Sequence, residues 1–298
     1  MNYRHAFHAG NFADILKHWI LCLSLKRLAQ KPAPFRILDL FAGAGRYDLA
    51  GEEAQRSPEW RDGIGRLIGS QARSLSPGLL AALEPYLGAV ASSDPLHASH
   101  PGDLRIYPGS PALALSLMRA SDRLTAIEAN PAQAEILRFA LPGDRRANIL
   151  CQDGWNAGPK MVPPPENRGL VLIDPPFEQA GDDRRLVKCT SEIVGNWPMA
   201  SLIIWYALKD LHAQAQMDAE FRQAGIKDLW RVNFFVGPLH ETPGLHACAL
   251  YLVRPAFGVI ELLQTHLAEL ATLLTQDHPK DAGAPPRAKT LPSSCDLL

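Results

Sequence analysis

Cysteine is scarce and scattered in this sequence: five residues, Cys22, Cys151, Cys189, Cys248 and Cys295, none near another. That spacing excludes the close pairs of a structural zinc site or a thioredoxin-like centre. Reduced thiols are expected, and Cys151 and Cys248, lying in apolar runs, read as small hydrophobes. Also missing is an apolar stretch long enough to cross a bilayer. The longest runs, such as MASLIIWYAL (199–208), suit buried strands instead. The opening MNYRHAFHAGNFAD is polar and basic where a secretory signal needs an apolar region. The expectation is a cytoplasmic protein with no membrane partner.

Neither sign of charge is in surplus. Thirty Lys+Arg against 31 Asp+Glu leave a net charge of −1, which argues against an all-round basic coat for nucleic acid but allows a local basic face. The distribution is uneven. Residues 1–36 hold Arg4, Lys17, Lys26, Arg27, Lys31 and Arg36 against Asp14, with three histidines besides. A polyanion can be steered to such a segment; the plainer alternative is a set of solubilising charges.

What is present is an ordinary globular mixture, 47% hydrophobic and 20% charged over 298 residues. That length suits one large core, or one core with a modest inserted subdomain. Asn11 is placed to cap a helix over roughly 12–29, with Phe12, Ile15, Leu16, Trp19, Ile20 and Leu23 on one apolar face. Strand-like runs follow at 36–41, 123–129, 147–153, 169–173, 200–206, 229–236 and 246–253, with helical segments between most of them. This alternation predicts an α/β fold with a seven-stranded, mostly parallel sheet covered on both faces. The last two strands lack room for a crossover helix and should pair antiparallel. Residues 48–105, rich in Pro, Ser, Ala and Gly, read as an insertion of short helices. The main domain is then 1–47 with 106–276, and the tail 277–298 reads as disordered.

In such a sheet ligands bind beyond the carboxyl ends of the strands. Four features fall there. Asp39-Leu40-Phe41-Ala42-Gly43-Ala44-Gly45 supplies glycines for close backbone approach, but neither the third glycine of a pyrophosphate loop nor a Walker sequence. Glu128 is an acid suited to ribose hydroxyls, or a plain surface acid. Asp153, before Gly154, can accept from an adenine amino group, or simply form a turn. The fourth feature is Asp174-Pro175-Pro176-Phe177 after an uninterrupted buried strand. Its prolines stiffen the turn and leave carbonyls as acceptors. An adenine amino group is a poor nucleophile because its lone pair is delocalised into the ring. Two acceptors, the Asp174 carboxylate and the Pro175 carbonyl, can hold its hydrogens and direct that lone pair at an activated methyl group, with Phe177 stacked on the base. Asp174 is also the candidate proton acceptor. No set of carboxylates and histidines has a clear metal-ligand spacing, so no metal is expected.

At these residues the chain resembles the bacterial RlmJ family of 23S ribosomal RNA adenine-N6 methyltransferases. The matching stretches are Tyr3-Arg4-His5-Ala6-Phe7-His8-Ala9-Gly10-Asn11, Asp14 with Lys17-His18, AGAGRYDL (42–49), Tyr107-Pro108-Gly109-Ser110-Pro111 and LIDPPFE (172–178). The resemblance implies a Rossmann-like class I S-adenosylmethionine-dependent methyltransferase with a helical insertion. It implies His18, Phe41, Gly43, Gly45, Ser110, Glu128, Asp153 and Gly154 around the cofactor. Asp174 is implied as the catalytic residue, with Tyr3, Arg4, Lys17, Pro175 and Phe177 on the substrate side. Protein-free 23S ribosomal RNA is the implied substrate, adenine 2030 the implied target, and a monomer the implied active form. Two positions depart from the family pattern: Phe41 stands where the enterobacterial form has a histidine touching the cofactor, and Phe177 stands for a tyrosine. A DNA adenine-N6 methyltransferase would use a similar turn, and a protein-glutamine methyltransferase would more naturally carry Asn at 174. A silent RNA-binding scaffold would keep the basic segment without using the cofactor.

Overall fold

A computed structural model describes residues 4–94, 104–239, 244–275 and 291–298. Its centre is β6 (Gly169–Ile173), buried at every residue because β1 (Arg36–Asp39) and β7 (Ala200–Tyr206) pair on its two edges, both parallel to it. Two-residue periodicity divides its side chains between the two faces of the sheet. Leu170 and Leu172 join an apolar cluster with Ile15, Leu16 and Trp19, while Val171 and Ile173 join another with Leu186, Ile193 and Phe221. β4 (Arg123–Ile127) and β5 (Ala147–Leu150) continue the parallel set beyond β1. On the far side β9 (Ala247–Val253) runs antiparallel to both β7 and β8 (Leu229–Phe235), as the short connection requires.

All seven expected strands are present, and an eighth joins them. β10 (Ser294–Leu297) pairs antiparallel with β8, giving the order β10-β8-β9-β7-β6-β1-β4-β5. The disordered reading of the tail therefore fails at its end, while 277–290 lie outside the described residues. Asp296 meets Arg231 at 3.3 Å, and the Ser293 hydroxyl accepts from the Phe235 amide at 3.0 Å. Short polar segments carry little burial signal in sequence, so an edge strand pinned by such contacts is easily missed.

Helix α1 (Phe12–Ala29) begins where Asn11 Oδ1 accepts from the amides of Ala13 and Asp14 at 3.0 Å each. It is not the one-faced helix expected, because every residue from Phe12 to Leu25 is buried, including Asp14, Lys17 and His18. The covering comes from α5 (Pro77–Ser93), α6 (Ser110–Leu117) and α11 (Val259–Leu274). Between β2 (Arg46–Asp48) and β3 (Ile106–Pro108) lie α2 (Glu52–Arg56), α3 (Glu59–Asp62), α4 (Ile64–Ile68) and α5, and their Ile64, Leu67, Leu83 and Tyr86 share the cluster of Trp19. All five cysteines are free; Cys248 is buried as expected, but Cys151 is exposed. Among the described residues no helix is long and apolar enough to cross a membrane.

Candidate active site

The chain passes from β1 to β4 and β5 on one side, then returns to β6 on the other, so the order reverses beside β1. Ligands settle at such a reversal. The carboxyl ends of these four strands open on a cavity of about 490 Å³, lined by Gly43 after β1, Glu128 after β4, Asp153 after β5 and Asp174 after β6. The four strand-end features of the sequence thus converge on one space. Lys17, His18, Phe41 and Ser110 line it as well.

Gly43 and Gly45 adopt φ of +61° and +75°. A side chain at Gly43 would put Cβ 2.4 Å from the Tyr47 hydroxyl, and one at Gly45 would put it 2.5 Å from Leu137. The loop folds back on Glu128, whose carboxylate accepts from the amides of Gly43 at 2.9 Å and Asn130 at 2.8 Å. Asp153 caps α8 (Gly154–Ala157), accepting from the Trp155 amide at 3.0 Å and the Asn156 side chain at 2.7 Å. Gly45 and Gly154 do not line the cavity; they let its walls approach. A Cβ on Gly154 would lie 2.0 Å from the Leu40 carbonyl oxygen. Gly154→Ala is therefore expected to cost about 1–3 kcal/mol of stability through overpacking, read from the midpoint of urea unfolding. Trp155, not singled out from sequence, meets the Phe41 ring edge-on at 4.8 Å, and both line the cavity. An aromatic directly after Asp-Gly at a strand end was the available signal.

Ser110 opens α6 and donates its hydroxyl to Asp39 at 2.6 Å. Burial pushes the Asp39 carboxyl up to about 6, with the Ser110 bond opposing the shift. Ser110→Ala is expected to raise that value further, measured by carbon NMR of the labelled carboxyl. His18 Nδ1 bonds the Tyr107 hydroxyl at 2.8 Å, and that hydroxyl meets Tyr86 at 2.9 Å. Burial drives the His18 pKa well below the ordinary histidine value, with Lys17 and His5 adding to it against Asp14, so the ring is neutral at pH 7.

Lys17 is only 4% exposed, and its ammonium spans two carboxylates: Asp14 at 2.8 Å and Asp174 at 2.5 Å. Burial works against its charge, but the two acids outweigh burial and hold its pKa well above the ordinary lysine value. Asp14 is completed by His5 Nε2 at 2.8 Å and the Gly10 amide at 2.9 Å. Burial opposes its ionisation too, yet His5 and Lys17 hold its carboxyl well below the usual range. A chain of charge therefore runs from the N-terminal segment to the Asp-Pro-Pro-Phe turn.

The remaining sequence candidates are placed differently. Tyr3 lies outside the described residues. Arg4 is exposed, pairs with Glu53 at 3.0 Å, and does not line the cavity. Pro175 is buried, while Pro176 lines the cavity. Phe177 has φ of +49°, a costly conformation for an aromatic residue. Its ring packs on Tyr206 at 5.5 Å and Trp205 at 6.1 Å and does not line the cavity, so the expected stacking plane is turned away in this structure. Most of the basic surplus of residues 1–36 is buried or has a partner, while Lys31 is exposed. Lys17 is buried, Lys26 pairs with Glu84, the Arg36 fork grips Glu166 at 2.8 and 3.0 Å, and Arg27 lies over the Phe257 ring. His5 and His8 make carboxylate contacts, with Asp14 and Glu59.

Comparison with known proteins bears on this geometry. The family described as ribosomal RNA large subunit methyltransferase D, RlmJ, matches residues 32–282. The chain belongs to this family. Ribosomal RNA large subunit methyltransferase J of Escherichia coli is 34% identical over 274 residues, 92% of this chain and 94% of that protein. The protein of the same name from Haemophilus influenzae is 31% identical over 277 residues, 93% of each. A crystal structure from Legionella pneumophila superposes with a TM-score of 0.79 at 26% identity, covering 98% of both chains. RlmJ membership and this likeness establish the Rossmann-like class I methyltransferase architecture. The RlmJ match starts after α1, so the contacts of Lys17 and His18 rest on the geometry.

Proposed function

We propose that this RlmJ-family protein transfers a methyl group from S-adenosylmethionine to N6 of an adenine in 23S ribosomal RNA, adenine 2030 by resemblance, giving N6-methyladenine and S-adenosylhomocysteine. The observation that carries this reading is Asp174, set on the β6 end by Lys17 inside the cavity shared with Glu128 and Asp153. The residues suit the cofactor. Glu128 is assigned to the ribose hydroxyls, Asp153 to the adenine amino group, Phe41 and Trp155 to the faces around that base, and His18 and Ser110 to the methionine end. Gly43, Gly45 and Gly154 shape the walls. The acidic lining favours a sulfonium cation, which when bound supplies the activated methyl group.

On the substrate side, Lys17 takes Asp174 Oδ2, and we assign Oδ1 to one hydrogen of the target amino group and the Pro175 carbonyl to the other. Holding both hydrogens directs the nitrogen lone pair away from the ring. Positioning and fixed charge then supply the rate. Asp174 takes the proton released as the amino group gains its new bond. Tyr3, Arg4 and Phe177 are assigned to the approach of the nucleotide. Methyl transfer from a sulfonium calls for no metal. Residues 1–47 and 106–276 form the methyltransferase domain in this reading, with 48–105 as a helical insertion, and a monomer acts on protein-free RNA. Incubation with labelled cofactor, protein-free 23S ribosomal RNA and DNA of matched sequence tests the substrate class. Label in RNA is expected, and label confined to DNA would reverse the assignment.

A further inference from the structure

The cavity poses a charge problem for the substrate just proposed. Five carboxylates line it, from Glu128, Asp153, Asp174, Glu178 and Asp182, against two Lys/Arg cations among the described residues, Lys17 and Arg185. A sulfonium suits that balance, but an RNA strand brings a phosphate with every nucleotide. Lys17 cannot meet it, being buried and already shared between Asp14 and Asp174. Arg185 is different. Its side chain is 49% exposed and stands on the first turn of α9 (Asp182–Asn196), the helix that directly follows the Asp174 turn.

Its surroundings hold it without covering it. Arg185 Nη1 donates to Gln179 Oε1 at 3.0 Å, leaving other donors of the fork for a ligand. Beneath it lies Asp182, 5% exposed, whose Oδ2 accepts from the Gln179 amide at 3.0 Å. Asp182 Oδ1 is buried without a hydrogen-bond partner and lies 3.5 Å from Arg185 Nη1. An unsatisfied buried carboxylate oxygen is costly, and a small shift of the guanidinium would satisfy it. Such a bond from Nη1 to Asp182 would leave the opposite edge of the fork open to an anion.

We propose that Arg185 grips a phosphate of the RNA strand beside the target adenine, oriented by Asp182 and Gln179. It is a substrate-positioning residue, and the inference rests on the RNA reading of the same site. Losing one charge-assisted phosphate contact should raise KM for RNA about tenfold. The salt dependence of RNA binding should become shallower by about 1 in log–log slope.

The test compares wild type, Arg185→Gln, Arg185→Lys and Lys188→Gln on protein-free 23S ribosomal RNA, with cofactor affinity measured separately by calorimetry. Lys188 lies farther along α9 and is 77% exposed. Expected is a raised KM and shallower salt slope for Arg185→Gln, with kcat at saturating RNA and cofactor affinity both unchanged. Arg185→Lys should restore the slope and only part of the KM, because lysine keeps the charge and loses the fork. Lys188→Gln should match wild type. An unchanged KM in Arg185→Gln, an equal effect from Lys188→Gln, or weakened cofactor binding in place of RNA binding would overturn the inference. A wild-type protein that leaves RNA unmethylated would overturn the function itself, which separates the two failures.

Discussion

Replacing Asp174 with alanine is expected to lower methyl transfer by about 10²–10⁴-fold, the range for a positioned proton acceptor, while cofactor and RNA still bind. Alanine removes both the acceptor for the amino hydrogen and the charge that Lys17 holds at 2.5 Å. Lys17 keeps Asp14, so the buried ammonium retains a partner and the fold should survive. Asparagine at 174 keeps a carbonyl acceptor but cannot take a proton, so its rate should fall between alanine and wild type. Single-turnover incorporation of labelled methyl reads the chemical step directly, and an unchanged rate in Asp174→Ala would remove Asp174 from the mechanism.

Lys17→Met should be the more damaging change to the molecule as a whole. It leaves Asp14 and Asp174 without the cation between them, and Asp14 is only 2% exposed. Removing one member of a buried ion pair costs about 3–5 kcal/mol, so urea unfolding should shift by that amount, and methyl transfer should fall with it. The pH dependence carries the same signature. Asp14 has a depressed pKa in the fold, so the stability it contributes is present above its unfolded value and is lost as pH falls through the folded one. Lys17 contributes below its unfolded value and loses that contribution only as pH rises through its higher folded pKa. Without the lysine, the Asp14 carboxyl rises toward its unfolded value, and acid unfolding should begin at higher pH than in wild type. Coincident acid transitions in the two proteins would contradict the network.

The parts of this site that sequence made legible are those that one strand end can announce. Gly43, Glu128, Asp153 and Asp174 each follow a buried run, and parallel pairing carries all four to one edge of the sheet. The Asn11 cap and the antiparallel pairing of the last two strands follow from short-range rules and appear as expected. What stayed hidden depends on partners far along the chain. Lys17 read as part of a basic surplus and as a substrate-side residue, but nothing nearby marked its partner Asp174, 157 positions away. Arg36 and Lys26 likewise meet acids from other segments, Glu166 and Glu84. Phe177 read as a stacking plane, but its left-handed backbone turns the ring toward Trp205 and Tyr206. Arg185 and Asp182 belong to a helix that gave no sign of its place at the cavity.

Asp174, held by Lys17 at the Asp-Pro-Pro-Phe turn, is the group on which methyl transfer to an adenine amino group in RNA should depend. The most direct test is complete digestion of protein-free 23S ribosomal RNA to nucleosides after reaction with labelled cofactor, for wild type and Asp174→Ala in parallel. One labelled product, N6-methyladenosine, is expected from wild type and almost none from the variant. Label on any other nucleoside, or equal N6-methyladenosine from both proteins, would contradict it.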